Sequence, residues 1–253
     1  MSTPTPDPDL RSLVDLLHSR RTKRARRGGQ PSLSREEIVR TAMRLADAEG
    51  LEATSMRRIA VELGAGTMTL YGYVADREAL HAAMLDEALA EVELPEGHSA
   101  SWRADLEVAA RQLRGVCRRH PWVAQLLGTT PVFYAPRWLR TVEFSLAALE
   151  PFGMDVRRAA AIGRLVNNYV VGTTLRETSE IRPPGEDADP AVRQAAVTAY
   201  LRQVVASGRY PVFSRLASAM LDGRDLHPDE NFEIGLSCLL DGVEAQLGAE
   251  GSD

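Results

Sequence analysis

From Ile38 to Leu247, apolar residues recur at three- and four-residue intervals and do not alternate with polar ones for long enough to argue a strand. That spacing puts apolar side chains on one face of a helix, so the chain is expected to be all-α. No apolar run exceeds four residues, whereas a membrane helix needs ~20. The first 30 residues also lack the continuous apolar core of a secretory leader. Two cysteines, Cys117 and Cys238, cannot form a disulfide framework. A reducing cytoplasm is the simplest setting.

The formal net charge is −5, which by itself gives no reason to expect a polyanionic partner. Its distribution does. Residues 1–32 carry seven Lys or Arg against three Asp, and the rest of the chain is acidic. Six cations fall within Arg20–Arg27. This run, with Arg24, Arg26 and Arg27, reads as an N-terminal arm on phosphates or in a minor groove. A solvated tail and a nuclear-localisation segment are the alternatives. Six phosphate contacts would steepen the salt dependence of DNA binding by roughly 5 units. Ahead of the run, Leu10, Leu13, Val14 and Leu17 form a short helical stripe. Behind it, Gly28-Gly29-Gln30-Pro31 reads as a linker.

The first firm helix start is Ser34, which with Glu37 has the pattern of a capping box. Gly50 is expected to end that helix in the left-handed region. A second helix is expected from Thr54/Ser55 to Leu63, a third over 66–72, and a fourth from the cap Asp76 to the break at Leu94-Pro95. Later helices are expected over 102–119, 122–128, 136–150, 155–178, 190–206 and 228–247, with the acidic, Pro-rich residues 179–190 as a mobile loop. Residues 54–80, TSMRRIAVELGAGTMTLYGYVADREAL, have the mechanics of a helix-turn-helix. Ala60 is small enough for two helices to cross closely, and Gly64 accepts the positive φ of the turn. Ile59, Leu63, Leu70 and Val74 can hold the pair together. The third helix then carries hydroxyls, a thioether and two tyrosines but almost no charge. Such groups suit base edges, phosphates and thymine methyls.

The run of small Ala60, Leu63-Gly64, Thr69-Leu70-Tyr71-x-Tyr73-Val74 and a polar cap followed by Arg77 resembles the tetracycline-repressor (TetR-type) family of transcriptional regulators. The likeness is strong over residues 33–92. It continues more weakly through Ser101-Trp102-Arg103-Ala104-Asp105, Leu127-Gly128-Thr129-Thr130-Pro131 and the last helix, which resemble the regulatory domain of the family's tetracycline-binding members. The resemblance implies an all-helical homodimer with a helix-turn-helix head over 33–80 and a larger effector-binding and dimerisation body over 81–253. Arg57 would contact phosphate, and Thr67, Met68 and Thr69 would face bases. Tyr71 and Tyr73 would touch backbone or base, and Arg77 would clamp a phosphate. Gly72 departs from the family's tetracycline binders, which have a bulky aromatic there.

Position matching to the same members places Leu113, Leu126, Thr129, Thr130, Trp138 and Val142 around an effector cavity. Their ligand-binding histidine is Leu126 here and their asparagine is Ala109, which disfavours a magnesium–tetracycline effector and favours a more apolar one. The polar pair Asn167 and Asn168 lies mid-way along an apolar helix and needs partners, either a ligand or a dimer contact. His18, His81, His98, His120 and His227 have no metal-ligand spacing, and His120, before a proline, reads as a helix-end cap. No nucleophile or phosphate-loop motif occurs, so neither an enzyme nor a cofactor is expected. Cys117 and Cys238 read as buried inert thiols. In the last helix, Phe232, Gly235, Leu236, Leu239 and Val243 line one stripe. With helix 155–178 it is the expected dimer interface; intrachain core is the alternative.

The reading is a cytoplasmic regulator whose partners are double-stranded operator DNA, a small apolar effector and a second copy of the chain, with no membrane. In its repressor form, the effector releases it from a palindromic operator. The alternatives are a helical binding protein or enzyme with a non-functional helix-turn-helix, and a ligand-independent activator.

Overall fold

The computed structural model describes residues 33–129, 136–181, 190–224 and 227–250. The basic arm with Arg24, Arg26 and Arg27, the residue Thr130, and positions 182–189 of the expected loop lie outside these. Every regular element among the described residues is helical.

Helix α1 (Arg35–Glu49) starts where the Ser34 hydroxyl accepts the Glu37 N–H at 3.1 Å. One of the four orphan donors of the first turn is thereby satisfied. It ends at Gly50, whose φ of +88° is positive, as expected of a glycine there, but whose ψ of 168° lies outside the left-handed cap. The chain leaves in a short 3-10 turn, Leu51–Ala53. Helices α2 (Met56–Glu62) and α3 (Thr67–Leu70) follow, then α4 (Arg77–Ala88), capped by Asp76 accepting the Ala79 N–H at 2.8 Å. Ile38, Ala42, Ile59, Leu70, Val74, Leu80 and Met84 are almost completely buried, and α1 packs on both α2 and α4.

The helices that follow are α5 (Trp102–Arg119), α6 (Pro121–Thr129), α7 (Pro136–Leu149) and α8 (Val156–Ile181). Helix α8 runs three residues into the segment expected as loop. Helix α4 packs on α6 and α7 as well as on α1, and α5 packs on α7. Cys117 sits in this core, where burial pushes its thiol up to about 12. An ionised thiolate there would have lost its water.

The chain divides into two compact units, Met1–Leu175 with Ala249–Asp253 and Arg176–Gly248. In the second, α9 (Pro190–Ser207) and α10 (Pro211–Leu221) form an antiparallel pair, followed by α11 (Pro228–Glu250). Helix α10 was not expected. Pro211 reads as a breaker in sequence, yet at N1 it costs no hydrogen bond and its fixed φ suits a helix start. Val212, Phe213, Leu216, Ala217 and Met220 keep helical spacing on α10; Ala217 is buried, while Val212, Phe213 and Leu216 are exposed. Cys238 on α11 is exposed, not buried as expected.

Asp105 shows how the sequence sets one of these helix starts. It is buried in the first turn of α5, accepting the Ser99 N–H at 3.0 and 3.2 Å and facing His98 Nδ1 at 3.1 Å. Burial alone would push its carboxyl up, but the hydrogen bonds from Ser99 and the charge of His98 outweigh that and hold it below the usual carboxylate range. A depressed folded value means that the stabilisation is complete above the unfolded value of about 3.9 and is lost as pH falls through the folded one. Asp105→Asn should therefore destabilise the protein by about 1–3 kcal/mol at neutral pH. The gap to wild type in thermal unfolding should close towards pH 3. A gap that is the same at both pH values would remove the carboxylate charge as its source.

Candidate DNA-reading and effector-binding sites

Helix α2 begins at Ser55, whose hydroxyl accepts the Arg58 N–H at 3.2 Å. Leu63 N–H closes on Ile59 O, and Ala65 N–H reaches back to Ala60 O at 2.9 Å. Gly64 has φ +60°, the left-handed conformation the turn requires. Ala60 is buried at the crossing. Helix α3 is a single turn, shorter than the expected 66–72, because Tyr71–Tyr73 leave it through tighter bonds. Gly72 N–H donates to Thr69 O, and Tyr73 N–H to Leu70 O. A Cβ at Gly72 would lie 3.2 Å from Thr69 O. An aromatic side chain, as in the family's tetracycline binders, would therefore need this exit from α3 to open.

One residue of α3, Leu70, is buried, and with Val74 it anchors the turn to the core. Met68 is 81% exposed and Tyr71 44% exposed. Thr69 is exposed, while Thr67 and Tyr73 are half-buried. All five uncharged candidates thus lie on or beside a turn that packing holds by one side chain. Arg57 is exposed and has no ion partner among the described residues. Its neighbour Arg58 is committed to Glu49 at 2.9 Å and to Glu62 at 3.1 Å. Arg77, at the first position of α4, pairs with Glu52 at 3.1 Å, and the Glu52 carboxylate is 91% exposed. Such a pair is weak enough to exchange for a phosphate.

His81 braces α4 against the start of α2. The Thr54 hydroxyl donates to Leu51 O at 2.7 Å, so its lone pairs face His81 Nε2 at 2.9 Å and the imidazole donates there. Burial and the nearby charge of Arg77 hold His81 below its usual value.

A second site lies between α7 and α8. A cavity of about 290 Å³ is lined by Trp138, Val142, Ser145 and Leu146 of α7, Leu127 of α6, and a face of α8 that includes Arg164, Asn167 and Asn168. Of the expected effector residues, Trp138, Val142 and Asn167 line it. Leu113 and Leu126 are fully buried but do not, and Thr129 is exposed with its hydroxyl on Gln125 O. Leu127 faces the cavity where Leu126 was expected, a rotation of one residue about the α6 axis. Sequence reasoning missed Arg164 and Ser145. The signal available for Arg164 was its spacing of three and four residues from Asn167 and Asn168.

Two polar clusters tie the region around this cavity to the helix-turn-helix. Asp47, near the end of α1, accepts the indole N–H of Trp122 at 2.6 Å and lies 2.8 Å from His120 Nδ1. The other ring nitrogen of His120 lies 3.2 Å from Glu91, which also takes Arg119 at 2.9 Å. His120 does end α5, and its ring also bridges two carboxylates. Arg137, beside Trp138, binds α4: its N–H donates to Asp86 at 2.8 Å and its guanidinium reaches Asp86 and Glu87.

On α11 the expected interface residues divide. Phe232, Leu236 and Val243 are buried within the single chain, and Gly235 and Leu239 are half-buried. Burial of those three is what the intrachain-core alternative predicts. What α11 presents outward is a different edge, with Ile234, Cys238, Asp241 and Gly242 exposed.

An exposed, uncharged turn backed by a two-helix brace, together with a partly open, mainly apolar cavity, has the layout of a helix-turn-helix protein with a separate ligand cavity. Comparison with known proteins agrees. Residues 38–84 match the family model for bacterial regulatory proteins of the tetR family, and residues 94–247 match that for the tetracyclin repressor-like C-terminal domain. The HTH-type transcriptional repressor DrrR1 of Streptomyces coeruleorubidus is 36% identical over 88% of this chain and 81% of its own. ActR of Streptomyces coelicolor, solved without ligand, superposes with a TM-score of 0.72 at 29% identity over 88% of this chain and all of that one. Its complex with actinorhodin gives 0.70 at 30% identity, over 86% and 100%. The chain belongs to the TetR family of DNA-binding transcriptional regulators.

Tyr71 is 44% exposed beside Met68 and Thr69 and is not part of the buried core. Tyr71→Ala should leave the unfolding free energy within the ~0.5 kcal/mol expected of a surface change. It should weaken specific DNA binding by about 1–3 kcal/mol, the worth of one good base contact. Unchanged affinity in a titration against the operator would remove Tyr71 from the interface.

Proposed function

We propose that this protein is a ligand-responsive repressor: a homodimer whose two heads (residues 33–80) read successive major grooves of a palindromic operator. A small, largely apolar effector bound by the body (residues 81–253) then releases it. The observation that carries this reading is the α3 turn, where Met68, Thr69 and Tyr71 are exposed and uncharged and arginines 57 and 77 stand on either side in sequence. Two such turns about 34–36 Å apart would match one helical repeat of DNA. Similarity to DrrR1, named a repressor, supports the sign of regulation. ActR, solved in complex with actinorhodin, supports a small-molecule effector. The family implies a cytoplasmic protein. The outward edge of α11, with Ile234 and Cys238, is offered to the second copy, and Gly235 and Leu239 border it.

An effector acts only through its different affinity for two states. Arg137 gives the cavity a lever on α4. Its neighbour Trp138 lines the cavity, while its own N–H and guanidinium hold Asp86 and Glu87 on the helix that carries Arg77. A ligand that shifts the start of α7 therefore pulls on α4. The basic arm, with Arg24, Arg26 and Arg27, adds phosphate contacts in this reading.

Fluorescence anisotropy on DNA from upstream of the protein's own gene, beside a scrambled duplex, tests the function at about 50 to 200 mM salt. Preference for the first duplex at the higher salt is expected. Equal, steeply salt-dependent binding to both would leave only the arm acting. Arg137→Gln should keep operator affinity within about threefold, below ~0.7 kcal/mol, while blunting release by actinorhodin or whichever aromatic compound dissociates wild type. Normal release would show that the signal does not pass through Arg137.

A further inference from the structure

We propose that the cavity between α7 and α8 selects an aromatic anion, a flat ring system bearing a carboxylate or an ionised hydroxyl, and that Arg164 is the side chain that reads the negative charge. This rests on the reading of that cavity as the effector site.

The cavity walls divide by chemistry. Trp138, Val142, Leu146 and Val171 supply apolar surface, and Trp138 is buried with no ring neighbour among the described residues. A planar ring would find a stacking or edge contact there. The polar groups are concentrated on α8. Arg164, Asn167 and Asn168 fall at spacings of three and four, so they share a face. None of the three has a hydrogen-bond or ion-pair partner among the described residues. Ser145, the polar group on the opposite wall, already donates to Thr141 O at 2.9 Å.

The sign of the charge follows from what is missing from the lining. Among the described residues, no Asp or Glu lines the cavity. From Val156 to Leu175, α8 carries Arg157, Arg158 and Arg164 and no acid. The acid of α7, Glu143, is exposed and faces a different groove with Leu94, His98 and Phe144. A cationic amine would thus meet a guanidinium with no counter-charge. A carboxylate could take two parallel N–H donors from the planar fork, and the amide N–H groups of Asn167 or Asn168 could complete its shell. Arg164 is exposed, so water solvates its guanidinium and an anion would displace that water. At about 290 Å³ the cavity is at the small end of ligand pockets, which suits two or three fused rings.

Three probes with one ring system and different charge test this: 2-naphthoate, 2-naphthamide and 2-naphthylmethylammonium, titrated calorimetrically into the full-length protein. The carboxylate should bind at least about tenfold more tightly than the amide, or ~1.4 kcal/mol, and the ammonium most weakly. Arg164→Gln should abolish the advantage of the carboxylate and leave the amide unchanged, and Arg164→Lys should retain part of it. Ala160→Phe, which fills the cavity without touching charge, should weaken all three. If the amide or ammonium binds wild type as tightly as the carboxylate, and Ala160→Phe weakens it, the cavity stands and the charge inference is overturned. The same holds if Arg164→Gln keeps the preference, or if it changes the sedimenting species, which would make Arg164 an interface residue. If no probe binds at millimolar concentration, or if binding ignores Ala160→Phe, the reading of the cavity itself fails with it.

Discussion

Helix α4 belongs to two cores at once, and the arrangement of the first unit depends on that. Ala79, Leu80, Ala82, Ala83, Met84, Leu85 and Ala88 are all buried. They point around most of the helix circumference rather than along one stripe. One side meets α1 and the rest meets α6 and α7. The alanines allow close approach on the sides where larger residues would hold the neighbours apart. A helix used in this way has little freedom to move relative to either partner without disturbing the other, because packed interiors rearrange in discrete steps rather than by small deformations.

Polar contacts set where those steps can occur. Asp47 satisfies Trp122 and faces His120, Glu91 closes the other side of the imidazole, and Arg137 holds Asp86 and Glu87. Trp122 is almost completely buried, but the charged groups are partly exposed, so each ion pair adds modestly to stability. Their worth lies in direction. Hydrogen bonds of fixed geometry fix which turn of α4 faces which turn of α7, whereas apolar burial alone would tolerate a shift. The arrangement therefore places specific, exchangeable contacts at the seam and non-specific burial on both sides of it.

Much of this was legible in the sequence, and the parts that were not share a cause. Ser34 and Asp76 cap as their residue types dictate, and Gly64 adopts the positive φ that the turn demanded. These are local rules, satisfied within four residues. The apolar side of α4 was legible from Leu80, Met84 and Leu85, but its burial on other sides by alanines was not, since alanine marks neither surface nor core. Helix α10 was missed although Val212, Phe213, Leu216, Ala217 and Met220 keep helical spacing, because Pro211 at its first position reads as a breaker rather than a start. At the cavity, the choice between Leu126 and Leu127 depends on the rotation of α6, which its partners set rather than its own spacing. The stripe of Phe232, Leu236 and Val243 was recognised as apolar. Apolar spacing cannot distinguish burial inside a chain from burial between chains, and here the chain itself covers all three.

The division of labour along the first unit bears on how such proteins diverge. The residues proposed to read DNA sit on a turn whose single buried residue is Leu70, so Met68 and Thr69, both exposed, can change without disturbing any core. The cavity wall on α8, with Arg164, Asn167 and Asn168, lies outside residues 33–80. Two sets of positions can then drift separately after gene duplication, one changing the promoter that is recognised and the other the chemical signal that is obeyed. The alanine-rich helix between them is the part a lineage would have to keep.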